Sequence, residues 1–176
     1  MKIKNIKINF ILNLIRMFLG TFFILLTMPY ITRVLGSENL GKIEYGVSIV
    51  SYFLLFSALG IPQYGIREIA RTRDNKDELS KTLIELLCIL IITVAINYAI
   101  FFFLLTKFDI INQEKKLFFI LGTNIIFSNI GIQWFYIGIE NQLHITIRFI
   151  IFKILTLISL YLLVKEPQDY IIYGGI

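Results

Sequence analysis

Residues 8–36 read INFILNLIRMFLGTFFILLTMPYITRVLG. The run is long enough to cross a bilayer, which takes about 20 apolar residues. A basic tail of Lys2, Lys4 and Lys7 precedes it. Pro29 predicts a kink near its far end, and Gly36 predicts its stop. Inside the run sits Arg16, about nine residues in and so roughly 13 Å from the start at ~1.5 Å per residue. A charge at such depth costs at least ~2.5–3.5 kcal/mol if it meets lipid. It does not stand alone: Asn9, Asn13, Arg16, Gly20 and Thr27 fall within roughly 60° of one another on a helix. The opposite side is Leu, Ile, Phe and Met, so one face of this helix is built to meet something polar. The apolar part is too long for a cleaved signal, and no small-x-small site follows it. It reads as a retained span.

The rest of the chain is of the same kind. Over 176 residues the hydrophobic fraction is 57%, and the mean hydropathy is +0.77. A water-soluble domain is nearer half apolar, with shorter patterned segments. The fold class expected is all-α, a polytopic helical membrane protein forming one transmembrane domain. Five spans are expected at about 8–35, 40–59, 82–106, 117–139 and 143–164. A sixth would start at 170, where the chain reads as cut off. Ser37 and Glu38 suit the start of the second helix, so spans one and two read as a hairpin. The charged stretch IREIARTRDNKDELSK, 66–81, reads as a short amphipathic helix on the membrane surface, followed by a turn at Asp74, Asn75 and Lys76. The loop after span three carries Lys107, Asp109, Asn112, Gln113, Glu114 and Lys115.

Orientation follows from loop cations. With the N-terminus inside, the inner segments hold Lys2, Lys4, Lys7, Arg67, Arg71, Arg73, Lys76, Lys81 and Arg148. The outer segments hold Arg33, Lys42, Lys107, Lys115, Lys116 and Lys165, so the bias is nine against six. A cytoplasmic N-terminus is expected. One cysteine, Cys88, allows no intrachain disulfide, and one Cys with one His makes a zinc site untenable. The net charge of +5 comes with no nucleic-acid-binding module, so no nucleic-acid partner is expected.

Polar faces recur in the later spans. Span two has Gly41, Glu44, Ser48, Ser51 and Ala58. Span four has Gly122, Asn129, Gln133, Tyr136 and Glu140. Span five places Lys153 near its middle, with Thr146 and Thr156 on the same face. Small and hydroxylated residues at such positions are read first as packing, since they let helices approach and hydrogen-bond in lipid. Trp134 and Tyr136 are read as anchors at a span end, and His144 and Arg148 as interfacial residues. Arg16 and Lys153 are read differently, as lining a water-filled cationic cavity, with a structural ion pair or a snorkelling contact as the alternative and Glu44 the carboxylate candidate to partner Arg16. The candidate binding residues are therefore Arg16, Lys153, Glu44, Asn13, Asn129 and Gln133. A cationic cavity suits an anion, because the arginine fork matches phosphate oxygens. A diphosphate headgroup crossing a bilayer needs such partners to offset its desolvation.

At these residues a resemblance enters. PYITRVLGSENLGKIEYGVSIVSYF (29–53), LGIPQYGIREIARTR (59–73) and IQWFYIGIENQLHITIRFIIFK (132–153) resemble the Wzx-type polysaccharide flippases of the multidrug/oligosaccharidyl-lipid/polysaccharide exporter superfamily. The resemblance implies two six-helix lobes around a central cavity. It implies flipping of undecaprenyl-diphosphate-linked oligosaccharide units across the bacterial inner membrane, for O-antigen, capsule or similar polymers. It also implies alternating access coupled to a proton or sodium gradient in some members, no bound cofactor, and partners that include membrane lipids and a polysaccharide polymerase. Arg16, Lys153 and Arg33 fit its cationic positions. The rival readings are a multidrug exporter of the same superfamily, a membrane enzyme, a helper subunit and an inactive truncated fragment. A cation exporter wants carboxylates within its spans, where only Glu44 and Glu85 are available. An enzyme wants a carboxylate cluster or a paired histidine, and none is present.

Overall fold

The computed structural model of the chain describes residues 6–107 and 114–176. Asp109, Asn112 and Gln113, expected in a polar loop, lie outside them. Among the described residues the secondary structure is entirely helical, as a chain in lipid requires, since a helix satisfies its own backbone. Helix α1 runs Ile6–Ala58 and breaks only at Gly36, where φ is 74° and ψ 168°. That left-handed geometry favours glycine. It divides α1 into a first arm, 6–35, and a second arm, 37–58. The backbone keeps helical dihedrals through Pro29, so the change of path falls at the glycine. Thr27 and Ile31 of the first arm line one cleft with Ile43 and Glu44 of the second, so the chain bends at Gly36.

After the turn at Leu59 and Gly60, α2 (Ile61–Thr72) has Pro62 in its first turn, where the missing N–H costs nothing. It buries Ile61, Gly65, Ile69 and Thr72, and leaves Arg67 and Arg71 exposed. Asn75 Oδ1 then accepts from the Asp77 N–H at 3.1 Å and starts α3, Lys76–Lys107. Helix α4 is Lys115–Ile130, α5 is Gln133–Gly138, α6 is Gln142–Leu163 and α7 is Tyr170–Gly174. Four described helical stretches are long and apolar enough to cross a membrane: Lys7–Thr72, Lys76–Lys107, Lys115–Gly138 and Gln142–Leu163. Broad exposure of Phe10, Phe18, Phe22, Ile91, Phe103, Phe127 and Phe152 gives the body an apolar surface suited to lipid.

Two buried clusters hold the helices together. One joins Ile31, Leu35, Ile43 and Val50 of α1 to Phe101 of α3, Phe118 and Leu121 of α4 and Leu160 of α6. The other joins Ile61 and Ile69 of α2 to Leu86 and Leu90 of α3 and Trp134 of α5. Lipid tails are as apolar as leucine, so close fit rather than the hydrophobic effect drives such contacts. The α2–α5 contact shows this. A Cβ on Gly65 would lie 2.6 Å from Trp134 Cε3, and one on Gly138 would lie 2.6 Å from Ile69 Cγ2. Each helix uses a glycine to admit the other's side chain.

Several expectations change here. Trp134 is 5% exposed and fills the notch of Gly65, so it is no anchor at a span end. The fourth span is not one helix: Ile132 has φ 33° and separates α4 from α5. The carbonyl of Gly131, freed by that break, accepts from Arg148 Nη1 at 2.8 Å. Gly65 sits buried inside α2. The polar face expected on the second arm is exposed at Gly41, Glu44, Ser48 and Ser51, whereas Ile43, Gly46, Val50 and Ser57 are buried.

Both ends of the bundle carry charge pairs. At one end Arg73 Nη1 meets Glu140 Oε1 at 2.7 Å, and Asn9 Nδ2 donates to the Glu140 carbonyl at 3.0 Å. The hydrogen bond that Arg73 donates to Glu140 raises the guanidinium pKa further above its ordinary range. At the other end Lys42 lies 3.3 Å from both Glu38 and Glu114, and Tyr170 donates to Glu114 at 2.6 Å.

Candidate functional site

The polar stripe of the first arm faces inward. Asn9, Asn13, Arg16 and Gly20 are half-buried and Thr27 is buried, while Phe10, Met17, Phe18 and Leu25 on the other faces are exposed. The stripe opens onto two cavities. The first, about 430 Å³, is bounded by both arms of α1 and by α4, α6 and α7. Its polar lining is Thr27, Glu44, Asn124, Lys153, Thr156 and Tyr173. The second, about 210 Å³, is lined by Arg16, Gln133, Ile145, Arg148, Phe149 and Phe152.

Lys153 has no carboxylate within ion-pair distance among the described residues. Its Nζ lies 4.2 Å from the centre of the Phe23 ring and 5.8 Å from that of Phe149. A desolvated cation–π contact contributes about 2 kcal/mol. That offsets much, but not all, of the ~2.5–3.5 kcal/mol that a cation costs at membrane depth. The rest of that cost is left for an anion to offset. Glu44 lines the same cleft from the second arm, exposed and outside ion-pair range.

Arg16 sits in the other cavity. Its Nη2 donates to Asn13 Oδ1 at 2.6 Å, one turn back on the same helix, while Nη1 is buried with no partner. The expected ion pair between Arg16 and Glu44 is not formed, because Glu44 belongs to the Lys153 cleft. Gln133 does share the Arg16 cavity, although its own side chain is largely exposed. Asn129 is elsewhere. It is buried at the meeting of α1, α3 and α4, where Nδ2 donates to Ser57 Oγ at 3.0 Å and to the Ile125 carbonyl at 2.8 Å. Thr93 Oγ1 of α3 donates to the Ser57 carbonyl at 2.7 Å, so this cluster stitches three helices together. Asn129 thus has a packing role in the structure.

The structure therefore joins Arg16, Asn13 and Gln133 in one place and Lys153 and Glu44 in another. It adds Arg148, Phe149 and Phe23, which were not among the candidates. A signal for Phe149 existed: it precedes Lys153 by four residues, and residues four apart on a helix share a face. His144 stacks on Tyr136 with ring centres 4.3 Å apart and touches neither cavity.

Residues 3–176 match the family described as polysaccharide biosynthesis protein. The chain belongs to this family. Among curated proteins it is 22% identical over 152 residues to the "Putative O-antigen transporter" of Escherichia coli (strain K12), a match covering 86% of this chain and 37% of that protein. The chain thus spans well under half the length of that relative. No solved structure matches. The family match, with four helical stretches long and apolar enough to cross a membrane, fits a multi-pass membrane protein, in keeping with the resemblance carried by residues 29–53, 59–73 and 132–153.

Proposed function

We propose that this chain supplies one wall of a transporter that flips undecaprenyl-diphosphate-linked oligosaccharide from the cytoplasmic to the outer leaflet of the bacterial inner membrane. The observation that carries the reading is Lys153, a cation held over Phe23 with no carboxylate in ion-pair range among the described residues, in a cleft between the arms of α1. Such a cation is offered to an anion that comes and goes. Arg16 adds a guanidinium on the same inward face, and the fork geometry of arginine fits phosphoryl oxygens. Asn13 orients Arg16, and Gln133 offers an amide beside it. The name of the Escherichia coli relative supports a cell-surface polysaccharide as cargo.

In this reading the two arms of α1 cross separately, giving five spans with the N-terminus cytoplasmic, and α7 begins a sixth. A reporter fused after Asn75 is then cytoplasmic. Transport proceeds by alternating access, drawing on a proton or sodium gradient, and delivers to a polysaccharide polymerase. The test is complementation of a flippase-null strain with the full-length gene. Arg16→Ala and Lys153→Ala together are expected to abolish surface polymer at unchanged membrane abundance. Full polymer from the double variant would remove both residues from the mechanism.

A further inference from the structure

The two cavities have no lining residue in common, and Phe149 reaches toward both. Its side chain lines the Arg16 cavity, and its ring also lies 5.8 Å from Lys153 Nζ. The ring edge abuts the first arm at Gly20, where a Cβ would stand 3.7 Å from Phe149 Cζ. The side chain therefore packs against the first arm one turn after Arg16 and, on its own helix, one turn before Lys153. On one side of it are two guanidinium groups, Arg16 and Arg148, with Gln133 and no carboxylate. Arg148 uses Nη1 to satisfy the Gly131 carbonyl and keeps further donors, since a guanidinium carries five N–H groups. Arg16 keeps a buried Nη1 with no partner. Two like charges around one small cavity repel each other, and a buried donor without an acceptor is costly. A phosphoryl group placed between them relieves both.

We propose that Arg16 and Arg148 form a separate pocket for a phosphoryl anion, and that Phe149 partitions it from the Lys153 cleft. The pocket is too small for a sugar chain and of the right order for a phosphate. Taken with the flippase reading, on which the identity of the cargo rests, it makes two stations for a diphosphate. The headgroup is held first at Arg16 and Arg148. It reaches Lys153 only when the Phe149 ring swings aside.

The experiment is calorimetric titration of inorganic pyrophosphate into the full-length protein in lipid nanodiscs, with helix content and thermal unfolding checked for each variant. Wild type is expected to bind at two sites. Lys153→Gln is expected to leave one, and Arg16→Gln in that background to weaken it at least tenfold. Arg148→Gln should do the same, while Arg148→Lys should weaken it less. Arg16 makes no bond between helices, so its variant keeps the test sound if Arg148→Gln misfolds. Phe149→Ala is expected to merge the two sites into one. Loss of all binding in Lys153→Gln, or an unchanged affinity on adding Arg16→Gln, would overturn the pocket. Two sites persisting in Phe149→Ala would overturn the partition. Failure of complementation with this binding pattern intact would instead remove the flippase reading and leave the pocket standing.

Discussion

Gly65→Ala tests whether the fit between α2 and α5 holds this fold together. In an open helix the change is favourable by about 1 kcal/mol, because alanine loses less backbone freedom than glycine. Here the new methyl would stand 2.6, 2.9 and 3.2 Å from three ring carbons of Trp134. Carbon atoms prefer roughly 3.5–4.0 Å, so the helices must part by about 1 Å at this point. The indole is 5% exposed and rigid, and has little room to yield. Parting the helices also loosens the reciprocal contact, where Ile69 fills the notch of Gly138. Overpacking of this kind costs about 1–3 kcal/mol, and the rigidity of the ring puts it toward the upper end. The net expectation is a loss of about 1–2 kcal/mol, combining that penalty with the propensity gain. Denaturant unfolding of the purified protein in micelles measures it. Gly41→Ala is the internal control, because no atom lies within 4 Å of a Cβ built there. It should be neutral or stabilising. Gly65→Ala should recover when combined with Trp134→Leu, which removes the ring. Equal stability of Gly65→Ala and Gly41→Ala would refute the reasoning.

Asn129→Leu removes the amide donor to Ser57 Oγ and should cost about 0.6–1.7 kcal/mol, the range for hydrogen bonds between helices in a membrane; the same unfolding assay reads it. The turn before α7 should respond to acid. Asp169 accepts from the Lys165 and Glu166 N–H groups, both at 2.9 Å, and these bonds lower its pKa below the ordinary carboxylate value. A carboxylate lowered in the folded state stabilises above the unfolded value of about 3.9 and loses that contribution as pH falls through the folded one. The protection of the Glu166 amide, its exchange rate relative to the intrinsic rate at each pH, should therefore hold from neutral pH down to about 4 and fall below it. Asp169→Asn should exchange faster and show no such step.

The sequence made the first arm legible because a 3.6-residue period converts spacing directly into a face. Asn9, Asn13, Arg16, Gly20 and Thr27 share that face, and the structure turns it inward. The same argument misplaced the second arm. There Gly41, Glu44, Ser48 and Ser51 also share a face, yet Ile43, Gly46 and Val50 make the contact. Periodicity tells which residues lie together and not which side a neighbour covers. In lipid an apolar side with a glycine in it packs as well as a polar one. The break at Gly131 and Ile132 had little local signal, since a lone glycine is tolerated inside a helix. What stabilises it is Arg148, from another helix. Trp134 lies near a span end, where tryptophan commonly anchors, and only the distant Gly65 makes room to bury it.

The distribution of paired and unpaired charge separates the structural groups from those free to act. Arg73 has Glu140, and Lys42 has Glu38 and Glu114. These pairs lie at the two ends of the bundle, where water screens them and each exposed pair is worth little. Arg16 and Lys153 lie between the ends, where a partner would be worth most. They have instead a neutral amide at 2.6 Å and an aromatic ring at 4.2 Å. A chain shaped only for stability would put its carboxylates where desolvation is greatest. This one forms its ion pairs at the ends, keeps Glu44 out of pairing range, and leaves its inner cations with partners that an arriving anion can outbid.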